Sequence, residues 1–116
     1  MSYTNNIKLG DLVAIAHQNS FEFGMFLKFT PDNGAHYRWL PYPNQAYSKW
    51  ATVRIEKLEA GETSLGRAAY INTRADSRIL PISENLLTEL QARYFKFYRS
   101  KLNLHEYQDN RPGYSL

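Results

Sequence analysis

GDLVAIAHQNSFEFGMFLKF, residues 10–29, predicts two adjacent β-strands separated by a short polar loop. Leu12 to Ala16 is apolar on both faces, as in a strand that is covered on both sides or sits in a small barrel. From Phe21 the side chains alternate, so that one face carries Phe21, Phe23, Met25, Leu27 and Phe29 and the other carries Glu22, Gly24, Phe26 and Lys28. Gly24 stands where a long strand would bend or bulge. We expect the rest of the chain to pack around this pair of strands.

Four more segments are predicted as strands, namely 35–40, 50–57, 67–72 and 77–82. Thr30-Pro-Asp-Asn-Gly34 predicts a tight hairpin before the first of them, with a positive φ at Gly34. In 50–57 the face of Ala51, Val53 and Ile55 is the expected core side. A turn is expected at 72–76.

The last regular segment is predicted as a helix over residues 84–100 with Ser83 as its N-cap. Its apolar stripe consists of Leu86, Leu87, Leu90, Tyr94, Phe97 and Tyr98. The chain from Asn103 has no such period and predicts a mobile tail over 103–116. Residues 1–102 are therefore expected to form a single domain, with a β-barrel over 8–82 and a packed helix over 83–102.

Composition limits the class of protein. A length of 116 residues suits one domain, and 43% hydrophobic with 15% aromatic residues argues against disorder. The formal net charge of +3 is compatible with a polyanionic partner but low for a dedicated nucleic-acid binder. With no cysteine, no signal-peptide pattern and no apolar run of spanning length, the sequence predicts a soluble cytoplasmic protein that makes no membrane contact.

Three features together resemble the SH3-like small barrels, a group that includes KOW and Tudor-type modules. They are the opening LGDLVAI at 9–15, the bent strand around Gly24, and the closing RILPI at 78–82 before a helix. The same layout looks like that of small accessory proteins encoded by large tailed phages. Between His17 and Phe23 the chain has no glycine where the KOW motif has one. The resemblance implies a mainly β fold, an SH3-like small barrel of about five to six strands with a C-terminal amphipathic helix packed on it. It also implies an accessory factor acting on a host protein in the host cytoplasm.

Residues 36–50, HYRWLPYPNQAYSKW, form the densest candidate site. Exposed tyrosine and tryptophan dominate protein interfaces, and the first hypothesis is a partner-binding surface made of Arg38, Tyr42, Tyr47 and Lys49. The second hypothesis is a nucleic-acid surface, in which aromatic rings stack on bases and cations hold phosphates, made of His36, Arg38, Lys49, Arg93, Lys96 and Arg99. In the structural alternative, Tyr37, Trp39 and Trp50 are barrel core and the basic helix face is merely solvated.

No pattern of residues indicates catalysis, a metal or a cofactor. His17, His36 and His105 lie in different predicted elements without ligand spacing. No serine stands in a nucleophile-elbow context, no carboxylate pair is evident, and the glycines are too dispersed for a phosphate loop. The sequence therefore predicts a non-catalytic binding protein, with a protein partner ranked ahead of nucleic acid.

Overall fold

A computed structural model describes residues 7–72 and 74–102 of the chain. Its regular elements follow in the order β1 (Leu12–His17), β2 (Ser20–Phe29), β3 (Ala35–Trp39), α1 (Gln45–Glu59), β4 (Ala69–Ile71), α2 (Ala75–Arg78), β5 (Ile79–Pro81) and α3 (Glu89–Ser100), with a 3-10 turn at Glu84–Leu86. The predicted tail at 103–116 lies outside the described residues. The fold is a small mixed α/β globule built on a five-stranded antiparallel sheet.

The strand pair at 12–29 is at the centre of this sheet, whose order is β4-β3-β2-β1-β5. β1 and β2 form a hairpin in which Leu12 is opposite Met25 and His17 is opposite Ser20. The two-residue turn begins at Gln18, which has a φ of 41°. β5 pairs with the free side of β1. The predicted central hairpin is confirmed.

The sheet is open in the part of the chain that the structure describes, because no pairing joins the edge strands β4 and β5. The expected closed barrel is therefore not seen. Side chains from both edges, Ile71 and Ile79, nevertheless enter one buried cluster with Ile15 and Phe26 from the central strands. Ala75 of α2 enters this cluster as well.

The opposite face of the sheet is covered by helices. Leu12, Met25 and Leu27 of the sheet belong to a second buried cluster that also contains Ile55 of α1 and Tyr94 of α3. The two clusters place apolar side chains on both faces of β1 and β2, as the two-sided apolar pattern of residues 12–16 predicts.

The strand predicted at 50–57 is wrong, since these residues lie in α1. Asn44 caps that helix, its side-chain oxygen accepting from the Tyr47 N–H at 3.0 Å. Ala51, Ile55 and Leu58 recur at helical spacing, and all three are buried in the cluster under α3. Val53, expected in the core, is instead exposed, and so is Trp50, a core residue in the structural alternative.

Three local expectations in the β region also change. The irregularity in β2 lies between Phe26 and Lys28 rather than at Gly24, and it turns Phe29 to the side of Phe26, with ring centroids 4.6 Å apart. The 30–34 turn is present, but the positive φ belongs to Asn33, at 63°, and not to Gly34. The 72–82 region holds α2 in addition to the short β5.

The C-terminal helix begins later than predicted. Ser83 caps only the 3-10 turn, whereas Thr88 caps α3 in a capping box with Gln91. The offset changes the buried face, so that Leu86 is exposed and Phe95 is buried beside Tyr94 and Tyr98.

Candidate binding surface

The predicted aromatic loop forms a compact ring cluster at the surface. Tyr42, in the loop after β3, and Tyr47, in the first turn of α1, each lie edge-on to Trp39, with centroid distances of 5.5 and 5.9 Å. The two tyrosine rings are 5.5 Å from each other. Trp39 is half-buried beneath them. Mutual packing therefore fixes the orientation of these rings, which favours a preformed surface.

The outer side of α1 extends this cluster. Trp50 and Val53 follow Tyr47 at intervals of three residues, so they lie along one side of the helix. The exposed fractions are 37% for Tyr42, 42% for Tyr47, 57% for Trp50 and 53% for Val53. We call these four residues the aromatic face. Four large apolar side chains that remain exposed together form the kind of patch that marks an interaction site.

A groove of about 570 Å³ opens beside the aromatic face, between α1, β3 and the loop at 65–67. Trp39, Trp50 and Val53 line it, and the buried Tyr94 and Tyr98 lie at its base. Four cations line it as well, namely Arg38, Arg54, Lys57 and Arg67, and none of its described lining residues is acidic. We call it the basic groove. Its positive charge and its aromatic walls together favour an anionic occupant that also carries apolar surface.

Two of the four cations fasten the adjoining loop to the body of the protein. Arg38 donates from Nη1 to the carbonyl oxygens of Leu65 and Gly66, at 3.3 and 2.9 Å. Arg54 donates to Glu62 Oε1 at 2.6 Å and to the Ser64 carbonyl oxygen at 2.7 Å. These bonds fix the wall of the basic groove and hold both guanidinium groups in place.

Lys57 and Arg67 differ from this pair, because both side chains are exposed and neither forms an ion pair or hydrogen bond with the described residues. They are the cations of the basic groove that remain available to a bound anion. The sequence pattern indicates neither as a site residue, since it places Lys57 at the end of a predicted strand and Arg67 at the start of another.

The predicted partner-binding residues divide into two groups. Tyr42 and Tyr47 lie on the aromatic face, and Arg38 lines the basic groove, although its guanidinium is held by the loop. Lys49 is exposed on α1 but does not line the groove. Three of the four predicted partner-binding residues, all except Lys49, therefore lie on the aromatic face or line the basic groove.

The predicted nucleic-acid set is not gathered on one surface. His36 packs its ring against Tyr70 at 5.1 Å, and burial, helped by Lys28, lowers the pKa of its imidazole. Arg93 forms a two-point contact with Glu59, at 2.5 and 3.0 Å. Lys96 and Arg99 line a different groove on α3, and the Arg99 guanidinium lies 5.5 Å from the Phe95 ring.

A buried carboxylate lies beneath the aromatic face and was not predicted. Glu22 is 9% exposed and accepts hydrogen bonds from the hydroxyls of Tyr37 and Tyr42, the latter at 3.2 Å. His17 Nε2 lies 2.8 Å from its Oε1, an arrangement in which the ring N–H donates to the carboxylate. Burial and the carboxylate raise the pKa of both tyrosine hydroxyls, so both remain donors. Glu22 thereby anchors one ring of the aromatic face.

The described residues contain no cluster of three or more histidine, aspartate or glutamate side chains suited to a metal ion. No helix in the same part of the chain is both long enough and apolar enough to cross a bilayer. A scan of protein-family models, a search of curated proteins and a search of solved structures each find no match to this chain.

Proposed function

We propose that the chain is a non-catalytic interaction module that binds another protein through the aromatic face and the basic groove beside it. The observation that carries the proposal is that Tyr42 in the loop after β3 and Tyr47, Trp50 and Val53 on α1 all remain exposed around Trp39. Tryptophan and tyrosine supply most binding hot spots, because they bury large areas at little cost in side-chain entropy.

The rigidity of the surface supports binding as its role. Asn44 caps the first turn of α1, Glu22 holds Tyr42, and Arg38 and Arg54 hold the loop that forms the groove wall. A surface ordered in advance loses less conformational entropy when a partner binds.

The position of Glu22 supports a non-catalytic role. The Glu22 carboxylate is buried and already accepts bonds from its neighbours. It lines neither the basic groove nor the groove between α1 and α3. A general acid or base would have to reach a bound substrate.

We also propose that the sheet curls into a small SH3-like barrel left open between β4 and β5. The single cluster that receives Ile71 and Ile79 from opposite edges supports this assignment. The resemblance to phage accessory proteins follows the same layout, and on that basis the partner would be a host protein.

Nucleic-acid binding is the second candidate. The observation in its favour is the basic groove itself, in which four cations lie beside two tryptophans. Against it, three of the predicted phosphate contacts, His36, Arg93 and Arg99, lie in other contacts or on other surfaces.

Selection from a randomised peptide library tests the first candidate without knowledge of the natural partner. Peptides enriched on the wild-type protein should bind Trp50→Ala about thirtyfold more weakly, corresponding to a hot-spot loss of about 2 kcal/mol. Trp50 is exposed, so the variant should unfold in urea near the wild-type midpoint.

Phe21→Ala is the matched control, because Phe21 is 60% exposed but lies at the start of β2, outside the aromatic face. It should leave the affinity of the selected peptides within about twofold. The proposal fails if the wild-type protein enriches no peptide, or if Phe21→Ala weakens binding as much as Trp50→Ala does.

A further inference from the structure

We propose that the basic groove binds an acidic segment of polypeptide, whose carboxylates pair with Lys57 and Arg67 while an adjoining apolar side chain packs on Trp50. This inference rests on the proposed function and names the chemistry of the partner.

The unpaired charge in the groove is small and local. Arg54 pairs with Glu62, and Arg38 donates to two loop carbonyl oxygens, so both guanidinium groups are held in the wall of the groove, although Arg38 keeps its net charge. Lys57 and Arg67 are exposed, and in the described ranges no carboxylate pairs with either. Two available cations match one or two carboxylates.

The small number of available cations in the groove favours a peptide over a nucleic-acid strand. A single strand is bound along a track of cations that follows about 4–16 nucleotides. Beyond the basic groove the surface carries acids, with Glu56 exposed on α1, Glu59 paired to Arg93 and Glu62 paired to Arg54. A phosphate backbone leaving the groove along α1 would meet cations whose charge is already paired, namely Arg54 and Arg93, whereas one or two carboxylates can be paired within the groove itself.

The apolar lining of the groove indicates which kind of side chain would lie next to the carboxylates of a bound peptide. Trp50 and Val53 are more than half exposed on one wall, and the half-buried Leu65 lies on the other. At the rim, Gly66 has a φ of 74° and open space where a side chain would project. An aromatic or aliphatic side chain next to aspartate or glutamate fits this lining, since it buries apolar area without leaving either cation unpaired.

Two short synthetic peptides and one oligonucleotide test the inference. The first peptide places aspartate and glutamate around one phenylalanine, the second replaces each acid with its amide, and the third probe is oligothymidylate. Titrated against the wild-type protein, the acidic peptide should bind about tenfold more tightly than the amide peptide. The double variant Lys57→Glu/Arg67→Glu should abolish that difference.

The control is Lys8→Glu/Arg74→Glu, which lowers the formal net charge by the same amount at exposed positions outside the groove. It should retain the tenfold preference, whereas a long-range effect of net charge would weaken it as well. Circular dichroism and urea unfolding establish that both double variants are folded.

The failures are distinguishable. Equal binding of the two peptides, with the loss in Trp50→Ala retained, overturns the inference and leaves the proposed function standing. If both peptides bind and Trp50→Ala does not weaken their binding, the proposed function itself is overturned. Tighter binding of oligothymidylate that depends on Lys57 and Arg67 overturns the peptide assignment in favour of nucleic acid, and no binding by any probe overturns it as well.

Discussion

Gly24→Ala should destabilise the protein, although an alanine in a strand is ordinarily the better residue. An added Cβ at Gly24 would lie 2.6 Å from Tyr37 Cδ2 and 3.0 Å from the Arg38 carbonyl oxygen. Tyr37 cannot swing away, because its ring is buried and its hydroxyl donates to Glu22. Overpacking costs about 1–3 kcal/mol, and the lower entropy of the unfolded chain returns about 0.4–1 kcal/mol. We therefore expect a net loss of about 1–2 kcal/mol in the free energy of unfolding.

Gly34→Ala is the matched comparison, because its Cβ would also meet a tyrosine ring. Here the ring belongs to Tyr70, which is exposed and can turn outward at the cost of its 2.8 Å bond to Asp32. The expected change is within about 1 kcal/mol. Urea unfolding followed by circular dichroism measures both variants. A Gly24→Ala protein as stable as the wild type, or a Gly34→Ala protein that loses more, would refute the reasoning.

Two further predictions concern α3. Burial raises the pKa of Tyr94 to about 12 from its ordinary 10.0, so the contribution of Tyr94 to the free energy of unfolding should be constant below pH 10 and fall between pH 10 and about 12 as the pH rises. In urea titrations across this range Tyr94→Phe should show a shallower fall, and an unchanged slope would contradict the assignment. Thr88→Ala removes a capping box and should lower the free energy of unfolding by about 1 kcal/mol. Ser83→Ala removes one 3.5 Å hydrogen bond and should lower it by less. Equal losses of the two variants in thermal unfolding would contradict this.

The central hairpin could be predicted because its signal is local and unambiguous, with two-residue alternation in β2 on either side of a polar turn. The helix over residues 50–57 could not be predicted in the same way, because their apolar side chains fit both the period of a strand and the period of a helix. Ala51, Val53 and Ile55 alternate as in a strand, while Ala51, Ile55 and Leu58 repeat as in a helix. The Asn44 cap and the absence of glycine and proline from 45–59 were the available signals in favour of the helix.

Only the residues of the candidate site that lie close together in the sequence could be predicted. Tyr42 and Tyr47 were found because they lie close together in an aromatic segment. Arg67 reaches the basic groove only because the chain returns after α1, and no local pattern reports that return. The partners of Glu22 are likewise 5 to 20 residues away, and in the sequence Glu22 reads as an ordinary outward residue of a strand.

The position of β1 in the sheet has a consequence for the order of synthesis. β1 is the first of the strands to leave the ribosome, but one of its two neighbours in the sheet is β5. Val13 therefore has no pairing partner on that side until Pro81 has been made. Until then a nascent chain holding β1, β2 and β3 presents an unpaired strand edge of highly apolar sequence. The helical side of the sheet stays open longer still, because Tyr94 and Tyr98 are needed to cover it. Such an edge is a template for pairing with other chains. Pairing of the β1 edge with other chains is therefore possible from the emergence of β1 until that of β5.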